Sequence, residues 1–253
     1  MTGKFLWFEG IPFPSVDYSP ELLREVQESF LIKDEDVLLL TFPKSGTNWL
    51  IETVCLIYSK GDPKWVQSEP IWDRSPWVET KHGYELLKEK EGPRLISSHL
   101  PIQLFPKSFF KSKAKVIYLV RNPRDVFVSG YFFWKSAKFV KRPQSLEQYF
   151  EWFIQGNMPF GSWFDHIRGW MSMRDKENFL VLSYEEMKWV KIALIISRLF
   201  LIFTPSNFPP FFSLCMVIRL ENLAIWSSLP CFWSNAMLSF ITSSSSHLTT
   251  SKN

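Results

Sequence analysis

Residues 41–49 read TFPKSGTNW, and they follow the apolar run 37–40 and precede an apolar-periodic segment over 49–58. A short apolar run bounded by turn residues is typical of a buried strand, and apolar residues three and four apart are typical of a helix. The stretch therefore predicts a strand, a tight loop and a helix in that order. Strand–helix alternation of this kind indicates an α/β fold.

The loop of this segment combines residue types that hold a phosphate group. Lys44 supplies a positive charge, and Gly46 lets the backbone take unusual torsions close to a ligand. Successive backbone N–H groups in such a turn, together with the start of a helix, bind anions. The loop lacks the first glycine of the G-x-x-x-x-G-K-[ST] motif, and its lysine precedes the glycine, which disfavours a P-loop kinase or nucleotidase. An ordinary strand–helix turn with a surface lysine is the remaining alternative.

Four apolar runs in the first 189 residues each lead to a residue suited to chemistry. The runs and the residues that follow them are 37–42 with Lys44, 94–98 with His99, 115–120 with Arg121, and 179–183 with Tyr184. Helical patterns separate the runs, which predicts a central, mostly parallel sheet flanked by helices. Ligands bind beyond the carboxyl ends of such strands. We therefore expect these four side chains to converge on one site.

The third run continues into a helix with a well-defined start. Asn122 is a good N-cap and Pro123 suits the first helical position. On that helix Asp125 and Ser129 are four residues apart and share one face. Arg121 and Ser129 are therefore candidates to bind a second phosphate, whereas the alternative is a structural ion pair between Arg121 and Asp125.

Four histidines occur in the chain, and only one of them follows a strand. His82 lies in a polar stretch and is predicted to be a surface residue. His166 lies in a helical pattern and is predicted to pack between tryptophans, and His247 lies in the low-complexity end. His99 precedes a rigid Leu-Pro turn, which makes it the candidate general base, the role that histidine fills most often.

Composition excludes several classes of protein. The net charge of +4 over 253 residues is modest and spread out, and no lysine–arginine block predicts a nucleic-acid partner. The N-terminal residues contain no long apolar core that would indicate a secretory signal. Cys55, Cys215 and Cys231 form no metal-ligand cluster. We expect a protein of the reducing cytosol without a metal ion.

The chain changes character near Trp189. Only five charged residues lie within 190–253, and all ten glycines precede residue 170. Residues 199–218 are uncharged and long enough to span a membrane, but the three prolines in that window make a continuous helix unlikely to form. We therefore expect a folded domain over 1–189, a poorly structured tail over 190–253, and no membrane anchor.

Aromatic residues make up 17% of the chain, and several fall near the polar candidates. Such residues line apolar pockets for flat ligands, although core packing is the alternative for any one of them. The candidate pocket residues are Pro14, Tyr18, Trp72, Trp77, Phe133, Trp134 and Phe139.

Residues 1–189 resemble the cytosolic sulfotransferases, specifically the hydroxysteroid and bile-salt branch. The segments that carry the resemblance are FLWFEGIPFP (5–14), TFPKSGTNW (41–49), SSHLP (97–101), RNPRDVFVSGYFFW (121–134), YFEWF (149–153), GSWFDHIRGW (161–170) and FLVLSYEEMK (179–188). They occur in family order. The resemblance implies a three-layer, P-loop-like α/β fold, incomplete at the C-terminus.

The resemblance also implies a cosubstrate and residue roles. The cosubstrate is 3′-phosphoadenylyl sulfate (PAPS), and the acceptor is a small hydrophobic alcohol such as a steroid or bile salt. The residues that match the loop binding the 5′ phosphosulfate end are Lys44, Ser45, Gly46, Thr47, Asn48 and Trp49. Arg121 and Ser129 match the 3′-phosphate site, and Tyr184 lies beside the nucleotide. His99 matches the catalytic base, Lys44 stabilises the leaving phosphate, and no metal is required.

The tail departs from the family pattern. Sulfotransferases carry a third nucleotide element, R-K-G-x-x-G-D-W-K, and a short dimerisation motif in a longer C-terminal section. Residues 190–253 contain no glycine and therefore cannot contain that element. We expect an incomplete nucleotide site, no family dimer contact and impaired activity. The alternatives are an active enzyme with a harmless tail, and a non-catalytic chain that folds poorly or acts only by binding.

Overall fold

All four apolar runs form strands of one sheet in the computed structural model, which describes residues 5–137 and 140–189 apart from the side chain of Trp189. The strands of this part are β1 (Phe5–Phe8), β2 (Ile11–Pro14), β3 (Val37–Thr41), β4 (Leu95–Ser98), β5 (Lys115–Val120) and β6 (Phe179–Ser183). The helices are α1 (Pro20–Ser29), α2 (Thr47–Tyr58), α3 (Lys64–Ser68), α4 (Ile71–Arg74), α5 (Lys81–Glu89), α6 (Pro123–Ser136), α7 (Leu146–Gln155), α8 (Trp163–Met171) and α9 (Tyr184–Trp189). Two 3-10 turns, Ile102–Leu104 and Lys107–Lys111, connect β4 to β5.

The main sheet has the strand order β4-β3-β5-β6, and every neighbouring pair is parallel. In the register, Leu38 pairs with Ile96 on one side and with Val116 on the other. The prediction of a mostly parallel sheet is confirmed. Because the strands are parallel, the segments that follow β3, β4, β5 and β6 all leave the same edge of the sheet.

Alternation along the strands divides the core between the two faces of the sheet. Leu38, Leu40 and Tyr118 face a cluster that includes residues of α1 and α8. Leu39 and Leu119 face the other way, against α2. Helices therefore cover both faces, which confirms the three-layer arrangement. Each fully buried side chain of this kind contributes about 1.5–3 kcal/mol to stability.

Helix α6 begins as the sequence predicts. The side chain of Asn122 accepts a hydrogen bond from the Arg124 N–H, and Pro123 is the first helical residue. A cap of this kind contributes about 1 kcal/mol. It also ends β5 sharply, so that Arg121 lies at the junction of strand and helix.

The antiparallel hairpin β1–β2 was not predicted from the sequence. Its two-residue turn consists of Glu9 (φ 46°) and Gly10 (φ 77°), and Phe8 pairs with Ile11 across it. Positive φ at both turn positions matches the right-handed twist of the flanking strands. The sequence does contain a signal for a hairpin, because a Glu-Gly pair stands between two apolar runs. The Pro12 carbonyl accepts a hydrogen bond from the Phe160 N–H, which ties the hairpin to the loop before α8.

Two of the predictions concern a membrane span and the C-terminal tail. Among residues 5–137 and 140–189, no helix is long and apolar enough to cross a membrane. The window 199–218, the missing nucleotide element and the dimer motif lie outside the described residues. The division into a domain over 1–189 and a tail over 190–253 stays a prediction.

Candidate active site

The loop between β3 and α2 forms the floor of the candidate site. Lys44 has a φ of 69° and Gly46 a φ of 105°, and both lie in the left-handed region. A Cβ atom on Gly46 would lie 2.6 Å from Cδ2 of Tyr184, so this position requires glycine for space as well as for torsion. No side chain caps α2 at Gly46. The N-terminus of α2 can therefore bind an anion.

Two buried polar atoms on this edge have no protein partner. Ser45 Oγ and Arg121 Nε are both buried without a hydrogen bond. Leaving such an atom unsatisfied costs about 1–3 kcal/mol, so buried polar groups are normally paired. A bound anion at the loop would give both atoms a partner. This observation fits a phosphate-bearing ligand better than it fits an ordinary strand–helix turn.

Lys44 presents its ammonium group next to an aromatic ring. Its Nζ lies 4.0 Å from the ring centre of Phe133 on α6. Burial and, to a smaller extent, the charge of Arg121 lower the pKa of Lys44 to about 8. The group is therefore still mostly protonated at pH 7, and an approaching anion would favour the charged form further.

Arg121 joins the loop to the last strand. Its Nη1 donates a hydrogen bond of 3.0 Å to the Lys44 carbonyl, and its guanidinium carbon lies 4.1 Å from the ring centre of Tyr184. Within the described residues no carboxylate pairs with Arg121, so the alternative of an ion pair with Asp125 is not observed. Ser129 is half-buried on α6, and its predicted contact with a second phosphate stays a prediction.

Tyr184 closes the far end of the loop. Its ring packs edge-on against Trp49 at 5.4 Å, on the first turn of α2. Together with the Arg121 contact, this places residues that follow β3, β5 and β6 against one another. The sequence prediction that these strand ends converge is confirmed by their contacts.

His99 lies on the other side of the loop, immediately after β4. Its Nδ1 lies 2.8 Å from the Thr41 carbonyl oxygen and 3.1 Å from Thr41 Oγ1. Because a carbonyl oxygen can only accept, Nδ1 carries the ring proton. Nε2 therefore holds the lone pair, which is the state that a general base requires. Thr41 Oγ1 also lies 2.6 Å from Thr47 Oγ1, which links the histidine to the start of α2.

The environment of His99 keeps the ring neutral. Burial lowers the pKa of His99 to about 4, the hydrogen bond to Thr41 partly opposes that effect, and the charge of Lys44 adds to it. An imidazole with this pKa is unprotonated at pH 7. It is thus available to accept a proton, and its bond to Thr41, three residues before Lys44, places it next to the loop.

Buried side chains hold the main chain of the segment after β4. The His99 N–H donates to Glu79 Oε1 at 2.7 Å, and the His99 carbonyl lies 3.2 Å from His166 Nε2. The indole N–H of Trp170 donates to the Leu100 carbonyl at 3.0 Å. Burial raises the pKa of Glu79 to about 7, although the His99 N–H opposes that shift. No periodic pattern or motif marks Glu79, so the sequence alone did not indicate it.

His166 is a helical and fully buried residue, as expected. Its ring stacks on Tyr118 at 5.8 Å and packs edge-on against Phe42 at 5.5 Å. Trp163 and Trp170 lie three and four positions from His166 and so share its face of α8, and Trp170 packs on the same Tyr118 ring at 6.2 Å. The prediction that His166 packs between tryptophans stays a prediction.

Aromatic rings surround His99. Trp77 lies at 6.1 Å and Phe160 at 5.3 Å between ring centres, and Tyr18 contacts Phe160 at 5.8 Å. Phe160 was missed from the sequence, although it lies in a Pro-Phe-Gly loop and has a φ of 72°. A bulky residue held in the left-handed region marks a constrained position. These rings form an apolar wall beside the candidate base.

The other candidate pocket residues have different surroundings. Pro14 is buried at the end of the hairpin, opposite Phe5. Trp134 is buried in a cluster that includes Tyr149, as the alternative of core packing predicts. Trp72 lies half-buried on α4. Phe139 lies outside the described residues. The pocket role of all these residues stays a prediction.

A scan against protein-family models matches residues 34–189 to the family described as "Sulfotransferase domain". The match begins before β3 and ends with α9, so it contains all four strands of the main sheet and every strand-end candidate. The chain belongs to the sulfotransferase family. This finding confirms the resemblance recognised from the motifs.

Relatives of this sulfotransferase chain include sulfotransferase 2A1 of Macaca fascicularis. The two are 73% identical over 188 residues, which cover 74% of this chain and 66% of the relative. A 3-beta-hydroxysteroid sulfotransferase of Cavia porcellus is 67% identical over 187 residues, which cover 74% of this chain and 65% of the relative. The chain thus spans just under two thirds of the length of these relatives.

Solved structures support the same fold. Mouse sulfotransferase SULT7A1, complexed with PAP, superimposes with a TM-score of 0.69 at 25% identity, over 85% of this chain and 73% of the other. An Arabidopsis thaliana putative steroid sulphotransferase gives a TM-score of 0.65 at 23% identity, over 92% of this chain and 84% of the other. The second likeness concerns the fold alone.

Proposed function

We propose that this chain binds PAPS along the carboxyl edge of its sheet and transfers the sulfuryl group to the hydroxyl of a steroid-like alcohol. One observation carries the proposal. The Nδ1–H of His99 donates to the Thr41 carbonyl, which leaves the ring's lone pair on Nε2, beside a cationic loop. A base and an anion-binding loop side by side are what group transfer from an anionic donor to a hydroxyl requires.

The cosubstrate is assigned from the residues that fit its charges. The loop residues Lys44 to Trp49 hold the 5′ phosphosulfate end, and the buried Ser45 Oγ, which has no protein partner, supports an anion there. Arg121 Nε also lacks a partner, which supports a second phosphate beside it. Arg121 and Ser129 hold the 3′-phosphate, and Tyr184 lies beside the nucleotide. The PAP complex of mouse SULT7A1 supports a nucleotide of this kind. PAPS supplies an activated sulfuryl group, and no metal enters the scheme.

The residues then have distinct chemical tasks. His99 accepts the proton of the acceptor hydroxyl at Nε2 while its Nδ1–H keeps the ring oriented toward Thr41. Lys44 places a positive charge where negative charge develops on the departing phosphate, as fixed cations do in phosphoryl transfer. The ring of Phe133 holds that ammonium in place.

The acceptor is proposed to be a flat, apolar alcohol of the hydroxysteroid class. The rings of Trp77 and Phe160 beside His99 support an apolar acceptor. The relative named 3-beta-hydroxysteroid sulfotransferase supports the steroid class. A wall of aromatic rings next to one polar group orients such a ligand, because the apolar body is buried while its hydroxyl meets the base.

A second candidate is a chain that binds the nucleotide without transferring sulfate. The observation in its favour is that residues 190–253 contain no glycine, and so lack the third nucleotide element that the family carries. This candidate uses the same site, so the two functions differ only in turnover.

The test measures binding and turnover on the same purified full-length chain. Calorimetric titration with PAP gives nucleotide affinity, and transfer of radiolabelled sulfate from PAPS to a 3β-hydroxysteroid gives turnover. Binding with transfer supports the transferase, and binding without transfer supports the second candidate. A chain that neither binds PAP nor transfers sulfate contradicts both.

A further inference from the structure

His166 is a buried histidine whose hydrogen bonds lead to the candidate base. It is only 1% exposed and lies on α8, far from His99 in sequence. Its Nε2 lies 3.2 Å from the His99 carbonyl oxygen, and its Nδ1 lies 2.9 Å from the Tyr118 hydroxyl on β5. One imidazole therefore joins α8, β5 and the segment after β4.

The partners of His166 fix its protonation. The carbonyl oxygen of His99 can only accept, so Nε2 of His166 carries the proton. Nδ1 is then an acceptor, and the Tyr118 hydroxyl donates to it. Burial lowers the pKa of His166 to about 3, which keeps this ring neutral. His166 and His99 thus hold opposite tautomers, with the proton on Nε2 in the first and on Nδ1 in the second.

The same ring also touches the phosphate-binding side of the site. Phe42, two residues before Lys44, packs edge-on against His166 at 5.5 Å between ring centres. On the opposite side of the base, the His99 N–H donates to Glu79 at 2.7 Å. The peptide groups on both sides of the His99 Cα are therefore held by buried side chains from two different parts of the fold.

We propose that His166 is a positioning residue for the transfer reaction: oriented by Tyr118, it holds the His99 carbonyl and thereby sets where the His99 ring meets the acceptor. This inference rests on the proposed function, because it concerns the base of that reaction. A strand end held only by the sheet ladder is free to shift after its last pairing. The hydrogen bond from His166 to the His99 carbonyl comes one residue after Ser98, the last paired residue of β4.

Positioning of this kind affects turnover more than binding. A displacement of about 1 Å at a reacting group can lower a rate about 100-fold, because the reactive geometry is lost while the ligand still binds. His166 makes no contact with Lys44, Arg121 or Tyr184 among the described hydrogen bonds and ring pairs. Its loss should therefore leave nucleotide affinity almost unchanged.

The test compares two amide substitutions at one position. In His166→Gln the amide nitrogen takes the place of Nε2 and can still donate to the His99 carbonyl. In His166→Asn the shorter side chain places its amide near the former Nδ1 and cannot reach that carbonyl. We expect kcat to fall about 10- to 100-fold in His166→Asn with the affinity for PAP unchanged, and His166→Gln to recover most of that loss.

A spectroscopic measurement keeps this inference separate from the transferase proposal. The ring nitrogen chemical shifts of His99 in the ¹⁵N-labelled full-length chain report its tautomer and its titration without any turnover. We expect the single Nδ1–H tautomer in the parent chain and in His166→Gln. In His166→Asn we expect a mixture of tautomers and a pKa that moves up from about 4 toward 6.5, as burial is relaxed. If the parent chain transfers no sulfate, the transferase proposal fails while this readout still decides the role of His166.

Two further variants make the result decisive. Tyr118→Phe removes only the hydroxyl that orients His166, and we expect a smaller shift of the His99 signals in the same direction. His82→Asn changes an exposed histidine paired with Asp73 and should alter neither readout. Equal His99 spectra in His166→Asn and His166→Gln would overturn the proposal. If His166→Asn does not fold, unchanged His99 signals in Tyr118→Phe would overturn it.

Discussion

The two sides of the candidate site differ in how completely the protein satisfies its own polar groups. On the loop side, Ser45 Oγ and Arg121 Nε are buried without partners. On the base side, the N–H, the carbonyl and the Nδ1 of His99 all have a partner within 3.2 Å. The loop side therefore holds buried atoms that a ligand could pair, whereas the fold itself pairs all three of these groups of His99. Oε2 of Glu79, beside them, is also buried without a partner.

This difference indicates how the two sides respond to mutation. Buried groups that lack partners gain most from an incoming anion, so changes on the loop side should alter nucleotide affinity. Groups that the fold already pairs fix the position of the base. Changes on the base side should therefore alter turnover while nucleotide affinity stays constant. The predictions below probe that division, from the largest expected effect to the smallest.

Replacing the base should give the largest effect. In His99→Asn the amide nitrogen lies near the former Nδ1 and can still donate to the Thr41 carbonyl, but no group replaces Nε2. Loss of a general base typically lowers a rate by about 10²–10⁴-fold. We expect kcat to fall by this amount while the dissociation constant for PAP stays within about threefold of the parent value, because His99 acts on the acceptor hydroxyl and not on the nucleotide.

A parallel loss of PAP affinity in His99→Asn would contradict the division between the two sides. It would mean that His99 supports the loop itself, through Thr41 and its 2.6 Å contact with Thr47. Thr47→Val separates these possibilities, because it removes the hydroxyl contact and leaves the imidazole in place.

Removing the loop cation should weaken binding. Lys44→Met keeps the length of the side chain and its packing on Phe133 but loses the charge. A hydrogen bond to a charged group contributes about 1.5–3 kcal/mol, so we expect the affinity for PAP to fall about 10- to 100-fold by calorimetry.

The pH dependence of PAP binding provides the control for Lys44. Because the pKa of Lys44 in the free protein is about 8, the cation is lost as the pH rises through that value, and affinity should decline above pH 8. Lys44→Met should lack this decline. An identical decline in both chains would assign the titration to another group.

The sequence predicts the parts of this molecule whose signals are local. Each of the four buried strands is a short apolar run, and Asn122-Pro123 is a strong helix start, so strands and cap follow from patterns within a few residues. Lys44 and His99 were recognisable because each follows such a run. Side chains at the carboxyl ends of neighbouring parallel strands lie close together because of the sheet topology alone.

The remainder depends on contacts between distant parts of the chain. His166 meets the His99 carbonyl across 67 positions and Glu79 meets the His99 N–H across 20. Glu79 lies in no motif. His166 lies in the segment GSWFDHIRGW, but a buried histidine on a helix looks the same in sequence whether it fills the core or holds a loop. Only the packing of α8 against the sheet distinguishes the two.

The glycine of the loop tests the packing between Tyr184 and α2. In Gly46→Ala the new Cβ would meet the Tyr184 ring at 2.6 and 3.0 Å and would also occupy the left-handed region. We expect the free energy of unfolding to fall by about 2 kcal/mol, in the range of a strained backbone position with a clash. Chemical denaturation measures this change, and PAP affinity should fall with it.

Gly92→Ala is the matched control for this substitution. Gly92 also has a positive φ, of 72°, but a Cβ there would meet nothing within 4 Å. It therefore reports torsional strain alone, which costs about 1 kcal/mol. Equal losses in the two variants would show that the Tyr184 contact adds nothing, and the loop would then not be shaped by that ring.

The last prediction concerns Glu79, and its effect appears only as a change of stability with pH. Its folded-state pKa of about 7 lies above the ordinary value of 4.5, so between these values the folded chain retains a proton that the unfolded chain has released. The free energy of unfolding contributed by this group therefore falls as the pH rises from 4.5 to 7. Glu79→Gln cannot ionise, and its stability relative to the parent should increase by about 1–3 kcal/mol between pH 5 and pH 8.

Comparison with the parent at each pH isolates this contribution. The lowered pKa values of His99 and His166, about 4 and 3, act in the opposite direction, since they reduce stability as the pH falls below 6.5. Both chains contain these histidines, so their effect cancels in the difference. Glu91→Gln, at an exposed position, is the control for replacing a glutamate by a glutamine. A difference for Glu79→Gln that does not vary with pH would mean that water reaches the carboxylate, and the base side would then be no more closed than the loop side.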